Sequence, residues 1–177
     1  MTSNPSLEIT AITLFPEMFA ALDYGITGRA LNRGIVKLDC INPRQHATRS
    51  HGYIDDTPYG GGPGMIMQAA PLLAAIRAAR CNTPDAQCIL LSPSGTPLTQ
   101  KHIGILSQSK ALILVCGRYE GIDERLMELA PIDHVFSTGD FIMSGGELPA
   151  MALIDACIRQ QPHALGDARC AQEESFS

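Results

Sequence analysis

The sequence predicts an α/β fold, a mostly parallel sheet with helices on both faces. Short β-branched apolar runs alternate with stretches of helical spacing, the later runs are each followed by a polar or glycine-rich loop, and no repeat or low-complexity tract breaks the alternation. The first run, LEITAITLF at 7–15, is stopped by Pro16. The second, IVKLDCI at 35–41, is stopped by Asn42 and Pro43. Between them FPEMFAALDYG and ITGRALNRG have short helical spacing, and Gly25 and Gly34 stand where a left-handed residue closes a helix. Residues 43–64 have no apolar period and read as one long loop, a length that in compact domains usually serves function.

From Pro71, a residue suited to a first helical turn, PLLAAIRAAR sets Leu72, Leu73 and Ile76 on one face. CILL at 88–91 reads as a strand followed by a turn at SPSGTP, then a helix capped by Thr99. ALILVC at 111–116 is the next strand, followed by GRYEG and the helical IDERLMELA. HVF at 134–136 is a short strand, TGDFIMSGGEL a glycine-rich loop, and PAMALIDACIRQQ a helix from Pro149 with Leu153, Ile154, Cys157 and Ile158 inward. The tail from His163 has no periodicity.

Composition narrows the function classes. With 45 % hydrophobic and 18 % charged residues in 177, the chain can bury one ordinary core without disulfides or a structural metal. No apolar run approaches the length of a membrane span and the start does not resemble a signal peptide, so a cytoplasmic location is expected. The six cysteines form no CxxC pair and read as reduced, structural thiols. A formal charge of −5 argues against strong binding of nucleic acid by this chain alone, because phosphate affinity comes from Lys and Arg.

The loops at 92–97, 117–121 and 138–146 follow consecutive predicted strands. In parallel sheets, ligands bind beyond the carboxyl ends of strands, so these loops are expected to share one crevice. Their glycines let backbone approach a ligand closely and leave N–H and C=O groups free for it. The cluster TPYGGGPGM at 57–65 has no P-loop Lys, and no strand leads into a G-x-G-x-x-G helix start, so the usual ATP and dinucleotide fingerprints are missing. In GRYEGIDER, Asp123 reads as a helix cap with Glu124 and Arg125 on a solvated face, whereas Arg118, Tyr119 and Glu120 are placed to contact a ligand or an RNA phosphate. The five histidines are scattered, no metal-ligand spacing occurs, and no nucleophile elbow supports a hydrolase. A non-catalytic nucleotide- or RNA-binding module stays open beside an enzyme.

Taken in order, ITLFPEMF, YGITGRA, DDTPYGGGPGM, LLSPSGTPLTQ, ILVCGRYEGIDER and STGDFIMSGGELPAM resemble the bacterial tRNA (guanine-N1)-methyltransferases over nearly the whole chain. The resemblance implies a deep trefoil knot near the last strands, which general topology rules make very rare. It also implies a homodimer with the active site at the subunit interface, and methyl transfer from S-adenosylmethionine to N1 of the guanosine 3′ of the anticodon (tRNA position 37). By motif, the donor would lie among Leu91, Ser92 and Pro93, then Gly117, Tyr119 and Glu120, then Thr138, Gly139, Phe141, Met143, Gly145, Gly146 and Pro149. Asp56, Pro63, Gly64 and Arg118 would face the substrate.

Guanine N1 carries a proton, so transfer needs a base to accept it and a cation to stabilise charge on O6. The resemblance assigns these roles to Glu174 and Arg159. Glu174 is a departure, because the family has Asp there and Glu reaches about 1.5 Å further. The family is associated with a magnesium requirement, for which the sequence offers no ligand set. The implied layout is a donor-binding catalytic domain over 1–164 and the start of a linker over 165–177, with the C-terminal tRNA-binding domain absent from this chain. This implies poor methylation of tRNA by the chain alone.

Overall fold

The structure, a computed structural model, describes residues 5–48, 50–58 and 60–165. Its centre is a five-stranded, wholly parallel sheet of β1 (Leu7–Ile12), β2 (Val36–Ile41), β5 (Gln87–Pro97), β6 (Ala111–Cys116) and β7 (His134–Ser137), in the order β2-β1-β6-β5-β7. The two-residue strands β3 (Asp55–Asp56) and β4 (Ile66–Met67) form a separate antiparallel ribbon. The helices are α1 (Gly25–Asn32), α2 (Ala69–Asn82), α3 (Gln100–Leu106), α4 (Arg125–Leu129) and α5 (Glu147–Arg159).

Alternation along the strands divides the core in two. Leu7, Ile9, Leu112, Leu114 and Cys116 face a layer built from α1, α3 and α5, while Ile12, Cys88, Ile113 and Val115 face α2 and α4. Every residue of the central strand β6 is buried, as a strand covered on both faces requires. The helices therefore lie on both faces, as the sequence predicts. Among the described residues no helix is long and apolar enough to cross a membrane.

Several element ends differ from the sequence reading. FPEMFAALDYG folds as a 3₁₀ segment, Pro16–Asp23, and the long loop holds short 3₁₀ turns at Pro43–His46 and Ser50–Gly52 together with β3. SPSGTP, expected as a turn, lies inside β5. The register on β7 jumps from Leu91↔Phe136 to Thr96↔Phe136, so residues 92–95 bulge out while the strand continues. Gly95 permits this, since a Cβ there would stand 2.7 Å from the backbone of Val135 and Phe136. Helix α5 starts at Glu147, two residues before the expected Pro149. The first turn needs no internal N–H partner, so the proline fits within it.

Candidate active site

Strands β6, β5 and β7 are neighbours in a parallel sheet, so their carboxyl ends lie side by side. The bulge in β5, the loop after β6 and the loop from β7 to α5 enclose a cleft of about 670 Å³. This volume is in the range of small-molecule sites, about 300–1,000 Å³. Its position follows from topology, because the chain leaves β6, crosses past β5 through α4, and joins the sheet again as β7.

Backbone contacts fix the spacing of the loops. The Gly146 N–H donates to Gly117 O at 2.8 Å, joining the start of α5 to the end of β6. A Cβ at Gly146 would stand 2.8 Å from Cys116 Cα, so this close approach requires glycine. The loop after β6 is tied from the other side to β4. The Glu120 N–H donates to Met65 O, Met67 N–H to Gly121 O, and Asp123 N–H to Met67 O, each at 2.9 Å. Tyr119 adopts a φ of 60°, a conformation a non-glycine residue keeps only when its surroundings enforce it, and its ring is left partly exposed at the cleft.

The structure brings Leu91, Ser92, Pro93, Gly117, Tyr119, Glu120, Thr138, Phe141, Met143, Gly145, Gly146 and Pro149 to this one cleft. Gly139 is not on the wall. It makes the turn after β7, its N–H donating to Ser137 Oγ at 3.2 Å and its carbonyl accepting from that hydroxyl at 2.8 Å, and its Cα packs against the Phe141 ring. Asp56, Pro63 and Gly64 are also off the wall. Asp56 lies in β3 and accepts the Thr57 N–H at 3.0 Å. Pro63 and Gly64 lie in the loop between β3 and β4, where Gly64, at φ 86°, packs against the Glu120 side chain.

Arg118 lines the cleft, but its side chain is engaged by the protein. Nε donates to Glu147 Oε2 at 2.8 Å, Nη1 to Ser144 O at 3.1 Å and Nη2 to Met18 Sδ at 3.3 Å, with the guanidinium 4.5 Å from the centre of the Phe15 ring. Glu147 is fully buried and also accepts from Thr13 Oγ1 at 2.8 Å. The sequence reading missed Glu147 and Thr13. A lone carboxylate opening an apolar helix was the available signal, and its partners lie far away in the chain. Burial, reinforced by the Glu147 charge, pushes the thiol of neighbouring Cys116 far above its ordinary range.

Of the expected catalytic pair, only Arg159 lies among the described residues, and it is not on the wall of this cleft. Arg159 ends α5, and at 1.5 Å per residue it lies roughly 15 Å along the helix from Pro149. Glu174 lies outside the described residues. Among the described residues no three His, Cys, Asp or Glu side chains gather as a metal site.

The profile of the family described as tRNA (Guanine-1)-methyltransferase TrmD matches residues 7–177. The chain belongs to that family. A tRNA (guanine-N(1)-)-methyltransferase of Neisseria meningitidis serogroup C is 53 % identical over 171 residues, covering 96 % of this chain and 68 % of the relative. Its counterpart in Alcanivorax borkumensis is 47 % identical over 178 residues, covering all of this chain and 67 % of that protein. Among solved structures, the tRNA (m1G37) methyltransferase of Aquifex aeolicus superposes with a TM-score of 0.84 at 38 % identity, over 93 % of this chain and 73 % of that one. The parallel sheet and its flanking helices are thus the fold of tRNA (guanine-1)-methyltransferases.

Proposed function

We propose that this chain binds S-adenosylmethionine in the cleft at the ends of β5, β6 and β7, and transfers its methyl group to N1 of the guanosine 3′ of the anticodon in tRNA, position 37. The observation that carries the reading is the convergence of three strand-end loops on one cleft that combines the glycines Gly117, Gly121, Gly145 and Gly146 with larger apolar side chains, in a chain of this family. Such walls suit a ligand with an adenine, a ribose and a short charged tail, because N–H and C=O groups can pair with its edges while Phe141, Met143 and Pro149 cover its apolar faces.

When bound, the donor supplies a sulfonium-activated methyl group. The rest of the chemistry falls to the protein. The carboxylate of Glu174 accepts the N1 proton as the N1–carbon bond forms and the carbon–sulfur bond breaks, leaving the thioether product. The guanidinium of Arg159 stabilises negative charge developing on O6. Arg159 stands at the far end of α5 from the donor cleft of its own chain, which supports a homodimer in which one copy's pair serves the other copy's cleft. The exposed Phe141, Ile142 and Leu148 beside the cleft supply apolar surface for such a contact. The described residues present no cluster to hold magnesium, and no step is assigned to it.

The remaining parts of the reading rest on the same support. The sheet and helices described within residues 5–165 support a donor-binding domain over 1–164. A knot is supported by the path of the chain, which reaches β7 on the far side of β5 and then returns through Gly146 to the end of β6. The net charge of −5 supports weak tRNA binding and poor turnover by this chain alone.

Calorimetric titration with S-adenosylmethionine, ATP and NAD tests the site. Saturable binding of the first, far tighter than of the other two, is expected. Preferential binding of ATP or NAD would overturn the reading.

A further inference from the structure

We propose that Glu147 is a positioning residue for the donor cleft: its buried carboxylate, held by Thr13, aims Arg118 so that the loops after β6 and β7 keep the spacing the methyl donor requires. The inference rests on the donor reading above. Neither Glu147 nor Thr13 lines the cleft, so any effect they have on the donor passes through other groups.

The argument begins with the cost of burial. A carboxylate with no exposed surface is tolerated only when it is paired and hydrogen-bonded, and Glu147 has one partner on each oxygen, Thr13 on Oε1 and Arg118 on Oε2. Thr13 is itself fully buried just past β1, and its hydroxyl oxygen accepts the Phe15 N–H at 3.0 Å, so it is fixed before it meets Glu147. Glu147 also opens the first turn of α5, where the helix dipole favours a negative charge.

Arg118 converts this anchor into loop geometry. Its backbone belongs to the loop after β6, Nη1 grips Ser144 O in the loop after β7, and the Phe15 ring and Met18 sulfur cover its remaining face. The planar guanidinium therefore ties both walls of the cleft to the end of β1. Gly145 keeps its path open, because a Cβ there would stand 2.2 Å from Arg118 Nε. Without the Glu147 charge, Arg118 is left a partly buried cation without its carboxylate partner, and its cheapest escape is outward, into the cleft it borders. Removing both charges abolishes that drive.

The experiment measures the dissociation constant for S-adenosylmethionine calorimetrically on the 177-residue chain and its variants, with thermal unfolding recorded in parallel. If the unsubstituted chain does not bind, the donor reading itself has failed. If it binds, Glu147→Gln and Arg118→Met should each weaken binding about tenfold, and the double variant should be no weaker than the worse single, as coupled neighbours behave. A purely structural role would lower the melting temperature without producing that coupling. Should Glu147→Gln not fold, Thr13→Val, expected to weaken binding about threefold by releasing Oε1, carries the same test. Unchanged affinity in every folded variant, or losses that simply add in the double, would overturn the proposal.

Discussion

The two edges of the parallel sheet are built from different material. At the carboxyl edge glycines let main chain meet main chain, as in Gly146 N–H to Gly117 O at 2.8 Å, and the Arg118–Glu147 pair adds a side-chain tie. At the amino edge, where α5 ends, side chains reach across to main-chain carbonyls. Gln161 Nε2 donates to Ser107 O at 2.8 Å, Arg33 Nη1 donates to His163 O at 3.0 Å, and Arg159 stands beside them in sequence. The difference teaches that, on the proposed reading, the groups for binding the donor and for activating the acceptor sit at opposite ends of α5. One chain carries a complete cleft at one edge, while the guanidinium proposed for the reaction lies a helix length away.

The largest effect should come from breaking that separation at the amino edge. In the assembled enzyme acting on tRNA, Arg159→Ala is expected to lower kcat by about 10²–10³, the usual loss of a group that stabilises developing charge. The donor dissociation constant should stay within about twofold, because each 1.4 kcal/mol of lost contact would show as a factor of ten. A parallel fall in donor affinity, measured by calorimetry, would mean that Arg159 holds the donor as well as the acceptor. The second effect belongs to the carboxyl edge. Gly146→Ala would set a Cβ 2.8 Å from Cys116 Cα and 2.9 Å from Gly117 N, atoms that cannot swing aside, so the start of α5 must move. Donor binding should weaken at least about tenfold, the cost of roughly 1–3 kcal/mol of overpacking. Unaltered binding would show that the backbone spacing at this point does not set the cleft.

The same contrast explains what the sequence made legible. Strand β6 could be read directly because ALILVC is short, apolar throughout and bounded by turn residues, as a strand covered on both faces is. Gly25 and Gly34 marked the turns correctly, at φ 65° and 67°, since few other residues accept that conformation. The loops of the carboxyl edge were legible through the same property of glycine, with Gly139 an exception that turns the chain without reaching the wall. Features set by distant partners were not legible. The continuation of β5 through SPSGTP depends on β7 re-pairing at Thr96↔Phe136, more than thirty residues on. Glu147 gives only the local hint of a lone carboxylate opening an apolar helix, and its role was not legible because Thr13 lies 134 positions earlier in the chain.

The smallest expected effect sharpens the comparison from within the cleft. Asp123 accepts the Arg125 N–H at 3.0 Å at the entrance to α4, and the Arg125 side chain beside it holds its carboxyl below the ordinary range. A carboxyl whose folded pKa is depressed stabilises the fold above its unfolded value, and that contribution is lost as pH falls through the lowered folded value. Asp123→Asn should therefore cost about 0.5–1 kcal/mol at neutral pH, the size of a helix-start contact with an exposed partner. In denaturant titrations the deficit should shrink towards zero in acid. Asp123 also lines the cleft, yet donor affinity should change by less than about twofold, because backbone shapes this wall and a neutral amide keeps the side chain's size. A tenfold loss would show that a side-chain charge, and not only the path of the main chain, selects the donor at this edge.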